Sequence, residues 1–199
     1  MVKCAHRIVN HLQNADKLAS EHAASRLGLK IALKEAAFLK ERSKFKAIKP
    51  VVELVKDLKT PRERRKFLVL SGPSRTGKTQ FVKSLFGTDA TLEVNCAGEE
   101  HPTLADFQDE KHRVLLLDEA SPTMVGFNRK LFQAPNALVQ VAQSKTSCHS
   151  YSVYLNDTLI VICSNSWATD LLQCSQDVRE WIQANQVLIT VTRPLWISK

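Results

Sequence analysis

The eight residues Gly72-Pro73-Ser74-Arg75-Thr76-Gly77-Lys78-Thr79 have the spacing of a phosphate-binding loop: a glycine, four residues, then Gly-Lys-Thr. The chemistry this pattern serves is a grip on a nucleoside triphosphate. Two of its fixed positions are glycines, in a chain with only 6, so the match is specific. Backbone N–H groups of such a loop, together with a helix N-terminus, converge on phosphate oxygens. Lys78 would reach the β- and γ-phosphates, and the Thr79 hydroxyl would hold Mg²⁺. ATP and Mg²⁺ are therefore the expected cofactors. A second pair, Asp118-Glu119, closes the apolar run Val114-Leu115-Leu116-Leu117. Asp118 would help hold Mg²⁺. Glu119 would orient and deprotonate an attacking water, which favours hydrolysis over transfer to a small molecule. A third residue, Asn165 in Ser164-Asn165-Ser166, follows the run Leu159-Ile160-Val161-Ile162-Cys163. An Asn at such a strand tip can hydrogen-bond a γ-phosphate or the attacking water, though Asn and Ser also simply open loops.

These residues need elements to position them. Phe67-Leu68-Val69-Leu70 reads as a short buried strand directly before the glycine loop. Residues 80–86 read as a helix after it, with Phe81, Val82 and Leu85 on one side. Strands are expected at 67–71, 91–95, 114–118, 159–164 and 187–192. They make a three-layer α/β fold with a mainly parallel five-stranded sheet and nucleotide at its C-terminal edge. Between the second and third motifs, Val139-Gln140-Val141 and Tyr151-Ser152-Val153-Tyr154 alternate around a polar stretch, as a β-hairpin does. The first 60 residues read as helical, with a break at Leu27-Gly28-Leu29. Within them Val51, Leu54, Val55 and Leu58 fall at i, i+3, i+4, i+7 and predict an amphipathic helix closed by Thr60-Pro61. The expected division is a basic helical region over 1–60 and an ATPase domain over 61–199.

The order glycine loop, acidic strand end, hairpin, and strand ending in Ser164-Asn165 resembles the superfamily 3 helicase domain of replication initiator (Rep) proteins of circular single-stranded DNA viruses. The resemblance covers about residues 67 to 196. It implies an AAA+-like phosphate-loop NTPase that acts as a DNA helicase in replication. It also implies that Asn165 is the polar sensor, and that Lys145 and His149, at or near the hairpin tip, contact DNA. Such a cation would grip backbone phosphate without reading sequence. An arginine from a neighbouring subunit would complete hydrolysis. Arg179, in the helix-like Asp177-Val178-Arg179-Glu180-Trp181-Ile182, resembles the family's arginine-bearing helix, and Arg193 is the other choice. The implied partners are single-stranded nucleic acid, DNA before RNA, and further copies of the chain in a ring, for which a hexamer is one size. In that family a small helical oligomerisation module precedes the ATPase, and residues 1–60 would include it. Two other readings share the motifs: a non-helicase AAA+-type ATPase acting on protein, and an inactive relic that only binds nucleic acid.

The resemblance stops at nicking chemistry. None of the six histidines forms His-x-His, and neither Tyr151 nor Tyr154 has a lysine three positions on, so no DNA nicking is expected. Charge divides the chain. Residues 1–66 carry 17 Lys+Arg against 7 Asp+Glu, a net +10, whereas the remainder carries 11 against 13, a net −2. The basic balance can attract nucleic acid and belongs to the N-terminal third. Five cysteines without C-x-x-C suit a reducing setting and give no metal site. The apolar runs are too short to span a bilayer, and residues 1–13 lack a signal-peptide core. An intracellular location is expected, nuclear before cytoplasmic in a eukaryotic host, with Arg62-Glu63-Arg64-Arg65-Lys66 as a basic run that could serve for import.

Overall fold

The structure, a computed structural model, describes residues 42, 44–58, 60, 64–133, 137–141, 151–155 and 157–197. All of them belong to one unit of the chain, Arg42–Lys199. Its centre is a sheet of five strands: β1 (Phe67–Ser71), β2 (Thr91–Asn95), β3 (Val114–Asp118), β6 (Leu159–Ser164) and β7 (Gln186–Thr190). Their order is β2-β3-β6-β1-β7, and all four pairings are parallel. A parallel sheet is covered on both faces, so its central strands need unbroken apolar runs. β1 and β6 are buried along their whole length, while the edge strands β2 and β7 are only partly so.

The side chains alternate between the two faces, as the strand period requires. Leu68, Leu70, Leu116, Val161 and Cys163 face one cluster, closed by Val51 of α1 (Lys49–Asp57) and by Phe81 and Val82 of α2 (Lys78–Phe86). Phe67, Val69, Leu115, Leu117, Ile160 and Ile162 face the other. That side is covered by α3 (Pro122–Phe127), α4 (Arg129–Phe132), α5 (Trp167–Leu172) and α6 (Gln176–Asn185). Met124, Phe132, Trp167 and Ile182 carry these helices into the core. An antiparallel pair, β4 (Ala137–Val141) with β5 (Tyr151–Leu155), packs Val139, Val141, Val153 and Leu155 on the same side. The fold is thus three-layered α/β with a parallel five-stranded sheet. No helix among the described residues is long and apolar enough to cross a membrane.

Four strand ranges coincide with the sequence reading, and the fifth differs. It spans Gln186–Thr190 instead of 187–192, because its partner β1 ends at Ser71, which pairs with Thr190 and takes the last ladder bond from Val191 N at 2.7 Å. The helix after the glycine loop begins at Lys78 instead of 80, with Gly77 as its N-cap. Pro50 stands in the first turn of α1, where its missing N–H costs nothing. Val51 of α1 is fully buried against the sheet, so residues 49–58 pack with the α/β core. The rest of the expected 1–60 region lies almost wholly outside the described residues. Arg65 ties α1 to the sheet. Its guanidinium donates to the carbonyls of Asp57, Leu58 and Thr60 and pairs with Asp157 at 2.5 Å.

Ile162 is fully buried on the central strand β6, against the larger cluster. Ile162→Ala is expected to lower unfolding stability by about 3 kcal/mol, read from urea denaturation followed by circular dichroism.

Candidate functional site

The glycine loop joins the end of β1 to the start of α2, both buried, so its position is fixed from both sides. Gly77 adopts φ +83°, a left-handed conformation that favours glycine. At Gly72 a Cβ would lie 2.0 Å from the Val191 carbonyl oxygen, so only glycine fits between the loop and the chain leaving β7. Arg75, at the exposed tip, also has positive φ, at 61°. The tip is closed by Thr76 Oγ1 donating to Pro73 O at 2.9 Å. Pro73, Ser74 and Arg75 are exposed. The N-terminus of α2 has no side-chain cap, in contrast to α3, where Ser121 Oγ accepts from Met124 N. An uncapped helix N-terminus presents donor N–H groups and the positive end of the helix dipole.

Lys78 is buried to 7% exposure. Its ammonium has three donors, and it donates to Gly72 O at 2.8 Å, Pro73 O at 2.9 Å and Asn165 Oδ1 at 2.9 Å. Asn165 continues the chain. Its Nδ2 donates to Glu119 Oε1 at 2.6 Å, and its backbone N–H faces Glu119 Oε2 at 3.4 Å. The strand order accounts for this line of contacts. β6 lies between β1 and β3, so the tip of β6 is flanked by the glycine loop on one side and by Glu119 on the other. Glu119 has φ 56° and is pinned by its N–H to Cys163 O at 2.8 Å. A non-glycine residue in that region costs of order 1–3 kcal/mol and persists only where surrounding structure holds it.

Asp118 pairs in register with Cys163 of β6, and residues paired this way share a face of the sheet. The Thr79 side chain stands close enough to the Cys163 thiol to favour its ionised form, so Thr79 and Asp118 lie on the same face, under α2. Burial raises the Asp118 carboxyl above its ordinary range, and Glu119 and Glu93 raise it further, while Lys78 and Lys83 pull it down. Burial also pushes the Cys163 thiol up to about 12, which makes it an inert part of the floor.

The structure thus brings Lys78, Thr79, Asp118, Glu119 and Asn165 to one end of the sheet. Arg179 is not part of this group. It sits on α6 and donates Nη1 to Leu172 O at 3.1 Å, at the end of α5. Arg193 is exposed in the segment after β7. Lys145 and His149 lie outside the described residues, although the two strands flanking them pair as the sequence predicts.

Sequence reasoning missed the segment that covers the loop. Leu195 N donates to Thr76 O at 3.0 Å, and Lys46 N to Leu195 O at 2.9 Å. Phe45 and Trp196 form an antiparallel bridge, extended by Ile197 N to Lys44 O at 2.7 Å. A Cβ on Gly77 would meet the Trp196 ring at 2.8 Å. Nothing in the spacing of Leu195-Trp196-Ile197 links it to a loop more than a hundred residues earlier.

No family model and no curated protein matches the chain. Among solved structures it is similar to NtrX from Brucella abortus in complex with ATP, at 16% identity and a TM-score of 0.43 over 88% of this chain and 44% of that one. The chain therefore spans under half the length of that protein.

The raised Asp118 carboxyl makes stability depend on pH. The folded state holds this proton more tightly than the unfolded chain does. Stability is therefore lost as pH rises from the ordinary value of 3.8 through the raised folded one. Asp118→Asn is expected to raise the thermal unfolding midpoint of the nucleotide-free protein near pH 7, with the gain shrinking towards about pH 4. Melts across that range check it, and a gain independent of pH would assign the effect to something other than this titration.

Proposed function

We propose that the chain is a phosphate-loop ATPase that binds Mg-ATP and hydrolyses it, working as a Rep-like superfamily 3 helicase on single-stranded DNA. The observation that carries the hydrolysis reading is the continuous contact from Lys78 through Asn165 to Glu119. It sets a phosphate-gripping lysine, a polar side chain and a carboxylate base side by side. The donor set fits the nucleotide. Left-handed Gly77, the uncapped N-terminus of α2 and Lys78 suit phosphate oxygens. The Thr79 hydroxyl and the Asp118 carboxylate, on one face, suit Mg²⁺. The metal would neutralise phosphate charge when bound.

In this reading Lys78 turns from the carbonyls of Gly72 and Pro73 to the phosphates. Glu119 takes the proton of the attacking water, and Asn165 holds Glu119 in the orientation that serves it. The helicase assignment rests on the order of motifs along the chain. The β4–β5 pair, which stands between the acidic strand and the sensor strand, supports it. DNA would be gripped at the hairpin tip by Lys145 and His149. Arg179 or Arg193 would act on a neighbouring subunit's nucleotide in a ring.

Steady-state phosphate release by the full chain tests this, with and without single-stranded DNA. Turnover is expected to depend on Mg²⁺ and to vanish in Lys78→Ala. In Glu119→Gln it should fall by about 10²–10⁴-fold while ATP still binds. Stimulation by DNA that is lost in Lys145→Ala supports the helicase. Turnover indifferent to DNA moves the assignment to an ATPase acting on protein, and no turnover leaves a protein that only binds.

A further inference from the structure

A phosphate loop grips phosphates and says nothing about the nucleoside attached to them. Beside this loop, a line of aromatic rings leads from the core to the surface. Phe81, on α2 three residues after Lys78, is fully buried. Phe45 meets it edge to face, with ring centres 5.9 Å apart and planes at 70°. Trp196 bridges Phe45 through the backbone and lays its six-membered ring against Gly77. Yet 41% of Trp196 stays exposed. The indole is thus held in place at the loop's last glycine, with much of its surface open to solvent. Its backbone is fastened to the loop itself, through Leu195 N to Thr76 O.

We infer that Trp196, bridged through its backbone to Phe45, is the wall on which the base of the bound nucleotide stacks. The inference rests on the nucleotide-binding reading and adds to it what the phosphates do not specify. A ring held rigidly before the ligand arrives loses little freedom on binding, so its contact is kept as affinity. Stacking tolerates any base, because every base offers a π-face, and is stronger for the larger ring systems. Purine nucleotides should therefore bind more tightly than pyrimidine ones, with little distinction between adenine and guanine.

Calorimetric titration of the full chain with Mg-ATP and with Mg-tripolyphosphate, which has no base, tests this. Wild type is expected to bind ATP about tenfold more tightly than tripolyphosphate. Trp196→Ala should lose that advantage and leave tripolyphosphate binding within about twofold, and Trp196→Phe should keep most of it. Equal loss for both ligands in Trp196→Ala would overturn the inference and make the ring a clip that shapes the loop. So would an ATP affinity that Trp196→Ala leaves unchanged. Should Trp196→Ala fail to fold, the wild-type ratio decides, and equal affinity for the two ligands overturns the stacking wall. Failure of both ligands to bind wild type overturns the nucleotide reading instead, and the wall with it.

Discussion

The site depends on how one ammonium group is satisfied. Lys78 is buried at the mouth of the sheet, and a buried charge persists only when fully hydrogen-bonded. Its three donors meet three acceptors, two loop carbonyls and the Asn165 side-chain oxygen. Because the oxygen of that amide is committed to Lys78, its nitrogen must face Glu119, where it finds a carboxylate oxygen. The orientation of Asn165 is thereby fixed from both sides. No other short side chain would serve. An aspartate would set two carboxylates against each other, and a serine would not span from lysine to glutamate. This chain of contacts exists because β6 is inserted between β1 and β3, an order in which strands distant in sequence become neighbours.

The same economy shapes the loop. A glycine loop that only had to turn would tolerate side chains on its outer surface. Here Gly72 is closed by the Val191 carbonyl and Gly77 by the Trp196 ring, so both glycines are packing positions as well as conformational ones. The chain leaving β7 runs alongside the loop and is hydrogen-bonded to Ser71 and Thr76, while the loop's tip stays exposed. The loop's base is therefore tied to the core, and Pro73, Ser74 and Arg75 are its exposed part. Fixed donors beside an exposed tip suit an anion that arrives from solvent.

Much of this was legible in the sequence, for a physical reason. Strands buried on both faces must be apolar throughout, so Leu68-Val69-Leu70, Leu115-Leu116-Leu117 and Ile160-Val161-Ile162 declare themselves. The motif glycines and acids then fall at their ends. What depends on strand order was not legible. Spacing offers Asn165 as a candidate but does not show that it touches both Lys78 and Glu119, since no local pattern says which strand lies between which. The C-terminal segment was missed because Trp196 acts through tertiary contact alone. The helix start at Lys78 was misjudged because Gly77, read as part of a loop, is also the N-cap.

The charge pattern gives the site a direction. Asp118 and Glu119 close β3, with Glu93 of β2 acting on Asp118, and they are countered by Lys78 and by Lys83, which pairs with Glu93. The acids outnumber the lysines, and Glu119 and Glu93 add to the upward push that burial already gives the Asp118 carboxyl. Donors, by contrast, collect at the loop and the start of α2. A lone phosphate chain arriving at the loop meets this carboxylate excess, and a lone cation meets the ammonium of Lys78. When the two arrive together, each screens the other's repulsion. A bound cation would relieve Asp118 and Glu119, and bound phosphates would draw Lys78 away from Asn165, freeing its side-chain oxygen. In the function proposed above, cation and phosphates would therefore bind this end of the sheet better jointly than apart. Their joint arrival would also break the contact that ties the loop to the acidic strand, so the geometry around Glu119 would depend on whether the loop is filled.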